Sequence, residues 1–216
     1  MKKPWHRGNS HLLARLEEDL QEPYPDLRVV VENECVHLRG SFPIVSDGAV
    51  LARYQIDVSI PKDFPDTVPT LRETGGRIPW VADRHVNRSG EACPVVPEEW
   101  LLGPKRDSIL CFLNGPVRDF FLAQSLVEAG QPWPFAWREH GVDGLYKAYG
   151  EFLGTTDRAV IRHYLEYLSK ETIKGHWECP CGSGNKLRNC HLNEVHMLKA
   201  KIPASVAKQA LRRLNQ

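Results

Sequence analysis

The sequence predicts an α+β protein on three observations: a strictly alternating run that reads as a strand, amphipathic segments on either side of it, and a tight Cys/His cluster near the end. Val50, Ala52, Tyr54, Ile56, Val58 and Ile60 alternate with Leu51, Arg53, Gln55, Asp57 and Ser59, the period of a half-buried strand with a mostly polar outer face. Residues 27–31 and 35–39 read as a strand pair turned at 32–34. Ser10 is placed to cap an N-terminal helix in which Leu12, Leu13, Leu16 and Leu20 recur at helical spacing. A turn built on Pro61, Phe64, Pro65 and Pro69 precedes a short strand at 71–73, so an antiparallel meander is the economical topology.

Residues 75–105 show no convincing periodicity, and a loop of that length inside a compact domain is usually functional. Helices resume afterwards. Asp107 is read as the start of a short apolar helix, Pro116 as the first turn of the next through Leu126, and Asp143 as the start of a helix over 144–153. Thr155 or Thr156 begins a fourth, whose Val160, Ile161, Tyr164, Leu165 and Leu168 share a face. The organisation that follows is a domain over 8–154, a connecting helix over 155–175 and a small module over 176–216.

Hydrophobic residues make up 42% and charged residues 25% of 216, as in ordinary globular proteins. Twenty-eight basic against 27 acidic side chains leave a net charge of +1, so no global field gathers nucleic acid or an anionic membrane surface. The longest apolar runs, 109–113 and 120–122, fall far short of the roughly 20 residues of a bilayer span. Charges run through the first twenty residues, so no secretory signal and a cytoplasmic location are expected. From 196 to 216 the chain carries Lys199, Lys201, Lys208, Arg212 and Arg213 with no acid, on what reads as a helix started by Pro203. A solvated face is the default reading, and a patch for a partner or nucleic acid is the alternative.

Cys179, Cys181, Cys190 and His191 place three thiols and one imidazole within thirteen residues, in two close pairs that can converge on a tetrahedral ion, with Gly182 and Gly184 permitting sharp turns. The segment resembles the SEC-C motif, whose spacing Cys-x-Cys-x-Ser-Gly-x(5)-Cys-[Cys/His] it reproduces at all four ligand positions. That resemblance implies a structural Zn²⁺. His176 and His196 are possible substitute ligands, with a surface role as the simpler reading. The tail has too little apolar material to fold unaided, so the metal is expected to supply most of its stability.

Cys35 and Cys111 are expected in the core, Cys111 because it sits among Ile109, Leu110, Phe112 and Leu113. Cys93 differs, lying in the long loop within His85-Val-Asn87-Arg-Ser-Gly90-Glu-Ala-Cys93-Pro94. Its thiolate could attack an activated carbonyl, Asn87 could donate to the resulting oxyanion, and His85 could order the loop. Asp83, Glu91, Glu98 or Glu99 could orient an incoming lysine, or each could be a solvated carboxylate.

The order of first helix, meander, proline turn Phe64-Pro65 through Pro69, His-x-Asn, Gly-x-x-Cys and downstream Trp100 resembles the ubiquitin-conjugating enzyme fold over roughly residues 10–150. Val86 stands where that family has a proline, Ala92 for an isoleucine and Pro94 for a leucine, and His85 and Cys93 are closer together than is usual there. The segment Trp137-x-x-His140-Gly141-x-x-Gly144-Leu-Tyr146-x-x-Tyr149 is similar to bacterial ubiquitin-conjugating-like proteins, some of which occur in antiphage (CBASS) operons. Within that subgroup the resemblance implies a cysteine-dependent conjugating enzyme that carries the C-terminus of a protein partner, a nucleotidyltransferase related to cyclic GMP–AMP synthase, as a thioester on Cys93 and transfers it to a target in antiphage defence. His85 and Asn87 complete the implied catalytic set. The alternative is an inactive adaptor that uses the same fold to bind a protein tail. A nucleic-acid-associated zinc protein is disfavoured by the charge balance.

Overall fold

A computed structural model describes residues 3–8, 10–46, 48–135 and 141–215. In chain order the elements are α1 (Trp5–Gly8), α2 (Ser10–Gln21), β1 (Leu27–Glu32), β2 (Cys35–Ser46), β3 (Ala49–Ile60), β4 (Thr70–Glu73), β5 (Glu91–Ala92), α3 (Pro97–Leu102), α4 (Ile109–Phe112), α5 (Arg118–Glu128), α6 (Gly141–Leu153), α7 (Arg158–Leu168), α8 (Leu192–Lys201) and α9 (Ala204–Leu214). They group into two compact units: residues 1–95 with 104–136, and residues 96–103 with 137–216.

The first unit is a five-stranded antiparallel meander in the order β1-β2-β3-β4-β5. Register pairs Leu38 with Val58, Phe42 with Tyr54 and Val58 with Leu71, so the alternating residues of three strands share one face, and all of these side chains are buried. Arg39, His37 and Asp57 share the other face, where the Asp57 carboxylate accepts from Arg39 Nε at 2.8 Å and stands 2.8 Å from His37 Nδ1. Helix α5 covers the apolar face. The Phe121 ring stacks on Tyr54 at 4.5 Å between centroids and tilts against Phe42 at 5.9 Å. Buried Glu73 is no orphan, because its carboxylate accepts the backbone N–H groups of Gly75, Arg77 and Ile78.

Several helix boundaries differ from the sequence reading for local reasons. Ser108, not Asp107, caps α4, its hydroxyl accepting from Cys111 N at 3.2 Å. Pro116 opens no new helix: residues 113–117 form a π-helical segment that joins α4 to α5, a register that accommodates a residue lacking its N–H. Asp157, not a threonine, caps α7 through bonds from Ala159 N and Val160 N. The aperiodic stretch 75–105 holds β5, α3 and a 3₁₀ turn at Ala82–Arg84, each too short to show a period. Cys111 and Cys35 are half-buried instead of core residues.

The second unit is helical. Helix α7 packs on α9 and α8, and α6 packs on α3, α7 and α9. Leu145, Tyr149, Ile161, Leu165, Leu168, Val206 and Ala207 are buried in it. Residues 141–153, which the sequence joins to the sheet domain, pack here because Leu145 and Tyr149 face this helical core. Residues 158–168 are likewise core rather than connector. Glu98 of α3, 3% exposed, is ion-paired with Arg213 of α9.

Phe121→Ala removes a fully buried ring that touches three others, and it is expected to cost about 3–5 kcal/mol of stability, read as a lower midpoint in urea denaturation followed by circular dichroism.

Candidate functional site

Residues 177–187 fold back on themselves: Leu187 N donates to Trp177 O and Cys179 N to Asn185 O, both at 2.8 Å, around a bridge between Glu178 and Lys186. The turn between the two arms needs Gly182 and Gly184, whose φ values of 79° and 73° are left-handed. A 3₁₀ turn at Leu187–Asn189 then returns Cys190 and His191 to the first two thiols, and His191 serves as the residue before α8. The four donor atoms of Cys179, Cys181, Cys190 and His191 all lie within 4.8 Å of one another. His176 and His196 are exposed and outside this cluster.

The spacing of the donors fits a metal ion better than a disulfide. Cys181 Sγ and Cys190 Sγ are 3.8 Å apart, far beyond a sulfur–sulfur bond of about 2.05 Å and equal to the edge of about 3.8 Å that metal–sulfur bonds near 2.3 Å give in a tetrahedron. His191 Nδ1 lies 3.2 Å from Cys179 Sγ and 3.1 Å from Cys190 Sγ, so Nδ1 is the ring atom turned toward the thiols. Hydrogen bonding from Ser183 holds the Cys181 thiol down to about 6, while burial pushes Cys179 up to about 11. One thiolate is therefore ready at neutral pH, and a cation would displace the proton of the other.

Residues 178–193 match the SEC-C motif. Comparisons with curated proteins and with solved structures gave no match. The SEC-C match and the donor geometry coincide on the same four residues, a set compatible with a metal ion.

The SEC-C segment does not stand alone. Cys179, Leu187 and Val195 form one buried cluster with Tyr164 of α7, and Leu153, Ile173 and Leu192 pack against it. Besides the donors, which are expected to supply most of the stability of this tail, α7 contributes part of its core. Beyond the donors, Glu194 Oε2 faces His191 Nε2 at 3.7 Å and Tyr164 hydroxyl donates to Glu194 Oε1 at 3.3 Å. This outer chain places a carboxylate behind the imidazole, the arrangement that orients a ligand histidine. Burial and the Glu194 charge raise the Tyr164 pKa, keeping the phenol protonated as a donor.

The Cys93 loop is built in the first unit. The 3₁₀ turn leads to His85 in the left-handed region, φ 51°. Val86 bridges Ala92, Cys93 N donates to His85 O at 2.9 Å, and Asn87 N donates to Glu91 O at 2.9 Å. The loop thus closes on itself and presents Cys93 exposed. Asn87 Oδ1 accepts from Ser89 N, Ser89 Oγ and Glu91 N, so the carboxamide holds the turn through its oxygen and has its NH₂ as donor. His85 stacks on Trp133 at 4.2 Å, which makes its ring a packing element. Gly90, φ 81°, lies under Trp80, where a Cβ would come within 2.7 Å of the indole. Although the residue is exposed, partial desolvation of its thiol first, and the Glu91 charge second, raise the Cys93 pKa.

Nothing in the local sequence marks Gln124 as part of the site. Buried on α5, it accepts from Arg84 Nε at 2.6 Å and donates to Arg84 O at 2.7 Å, clamping the residue before His85. Of the carboxylates considered for orienting a lysine, Glu98 is excluded by its burial and its bond to Arg213. Asp83 is exposed and Glu91 half-buried in the loop unit, and Glu99 is half-buried on α3. Trp137 and His140 lie outside the described residues, while Leu145 and Tyr149 are core and Tyr146 lies beneath the Arg158 guanidinium at 4.7 Å. Phe135 is exposed and packs edge-on against Trp133. Most of the terminal basic charge is committed internally: Lys199 to the carbonyls of Leu168 and Lys170, Lys208 to Glu171, Arg213 to Glu98, and Arg212 Nε to Lys208 O. No helix among the described residues is long and apolar enough to cross a membrane.

Replacing Glu194 by Gln removes the carboxylate behind His191 and is expected to weaken metal binding about tenfold, while Cys181→Ser abolishes stoichiometric binding, both read by competition for Zn²⁺ with a chromogenic chelator.

Proposed function

We propose that the chain is a ubiquitin-conjugating-like acyl carrier with Cys93 as the acceptor thiol and a structural Zn²⁺ in its SEC-C segment. The observation that carries the reading is the exposure of Cys93 on a loop pinned at both ends, while Cys35 and Cys111 are half-buried. The order of helix α2, strands β1 to β3, the Phe64-Pro65 turn, β4 and the Cys93 loop supports a ubiquitin-conjugating-like fold. Four protein donors would complete a tetrahedral sphere with no open position, so the metal supplies folding energy rather than catalysis.

The chemistry needs little apparatus. Cys93 Sγ attacks the activated carboxyl terminus of a protein, an S–C bond forms as the activating group leaves with its electron pair, and the proton of the broken S–H bond passes to that departing group. An amine then attacks the thioester carbonyl, the S–C bond breaks, and the thiol regains a proton. Asn87 is held to donate its NH₂ toward the tetrahedral oxyanion, with Ser89 and Glu91 fixing the other end of the amide. His85 positions the loop through its carbonyl bond to Cys93 N and its stack on Trp133. Glu91 is the carboxylate felt by the thiol and the candidate to steer an ammonium toward it. A cyclic GMP–AMP synthase-like nucleotidyltransferase is the proposed cargo, on the resemblance of the 137–149 segment to proteins of antiphage operons.

The raised Cys93 pKa favours a second reading, an adaptor that binds a protein tail without acylation. The two separate on trapping. With the chain co-expressed beside its genomic neighbours, Cys93→Ser is expected to accumulate an alkali-labile, thiol-resistant ester where the parent forms a thiol-labile one. Binding of the same tail with no adduct in either protein establishes the adaptor instead.

A raised pKa leaves Cys93 as the neutral thiol at physiological pH, with the thiolate appearing only above the range of a free cysteine. Its alkylation by iodoacetamide should therefore accelerate with a midpoint above that of a free thiol, and Glu91→Gln should move the midpoint down. An unshifted midpoint in that variant contradicts the role given to Glu91.

A further inference from the structure

Strand β1 is an edge of the sheet, and its direction of hydrogen bonding is legible. The β1–β2 turn has two residues, Asn33 and Glu34, both with positive φ, which makes Glu32 and Cys35 a hydrogen-bonded pair. Alternation then aims Arg28, Val30 and Glu32 at β2 and turns the N–H and C=O groups of Val29 and Val31 outward. Two flanking bonds agree: Ser41 N donates to Asp26 O, on the inward parity, and Leu27 N donates to Tyr24 O, away from the sheet.

Apart from the charges of Arg28 and Glu32, this edge lacks the usual protection. It carries no proline, glycine, lysine or bulge, its register against β2 is unbroken, and Val31 is 43% exposed. Its sequence is also antisymmetric in charge, Arg28-Val29-Val30-Val31-Glu32. Laid antiparallel against itself with Val30 opposite Val30, the strand sets Val29 opposite Val31 of the second copy, so all four outward N–H groups meet outward carbonyls. Arg28 then lies opposite the other copy's Glu32, twice.

Within one chain Arg28 sits opposite a like charge, since β1–β2 register pairs it with Arg39. No ion pair of Arg28 is found among the described residues. Glu32 holds Arg39 by two parallel bonds of 2.9 Å, which fixes its carboxylate at the strand end and leaves lone pairs for a second guanidinium. The partner that answers both the backbone pattern and the charge order is the same strand. We infer that β1 is a self-association edge, joining two copies of this chain through antiparallel β1–β1 pairing into one continuous ten-stranded sheet. A contact this short is well below a standard interface of about 1,600 Å², so the dimer forms at high protein concentration.

Sedimentation equilibrium of the full chain tests the pairing. The parent should show a concentration-dependent dimer. Arg28→Glu and Glu32→Arg should each weaken it about tenfold, because both cross-strand pairs become like charges. Mixing those two variants should restore a heterodimer, since each introduced charge then faces its opposite. Val29→Pro, which removes an outward N–H and no β1–β2 bond, should abolish the dimer while leaving the circular dichroism spectrum unchanged. Amide exchange should slow at Val29 and Val31 with rising concentration, and not at Val30. A chain that stays monomeric up to about 1 mM overturns the proposal. So does a dimer indifferent to Val29→Pro and to both charge reversals, or a foreign strand that protects Val29 and Val31 while the chain itself stays monomeric.

Discussion

Three sulfurs and one imidazole nitrogen gathered within 4.8 Å constrain the C-terminal half of the protein more than any other feature. Such a gathering is costly without a cation, because deprotonated thiols repel one another and buried thiols resist ionising. The fold meets that cost in two ways. Ser183 stabilises the Cys181 thiolate from one side, and the His191–Glu194–Tyr164 chain holds the imidazole from the other. Because Tyr164 belongs to α7 and is buried with Cys179, Leu187 and Val195, the donor cluster and the helical core form one packing problem.

The Cys93 loop answers a different constraint, that an accessible thiol must still be placed. Its exposure follows from a short closed loop in which nearly every backbone group is spent on ordering, by the Val86–Ala92 bridge, the Cys93–His85 bond and the Asn87 carboxamide. The clamp of Gln124 on Arg84 ties this ordering to α5, and through Phe121 and Tyr54 to the sheet. Rigidity of this kind suits a carrier whose proposed chemistry rests on geometry rather than on an ionised nucleophile.

Where structure follows from neighbours in the chain, it was legible. The alternation through Val50–Ile60, the helical leucines of α2 and the donor spacing of Cys179, Cys181, Cys190 and His191 all encode their outcome within a dozen or so residues. What was not legible depends on distant partners. Glu194 acquires its role from Tyr164, thirty residues away, and Gln124 from Arg84, forty away. Pro116 misled because a helix can absorb a proline by widening one turn, which leaves the apolar pattern of 109–121 intact. Residues 141–153 misled because amphipathicity tells that a helix has a core-facing side without telling which core.

Helix α3 follows Cys93 by only a few residues yet packs with α6, and the chain then returns to the sheet unit at Pro104. The polypeptide therefore passes back and forth between its halves instead of finishing one before starting the other. A protease or a deletion that severs the chain once, anywhere between the halves, strands a piece of one among the other, so neither half is inherited, shuffled or excised intact as a continuous stretch of sequence.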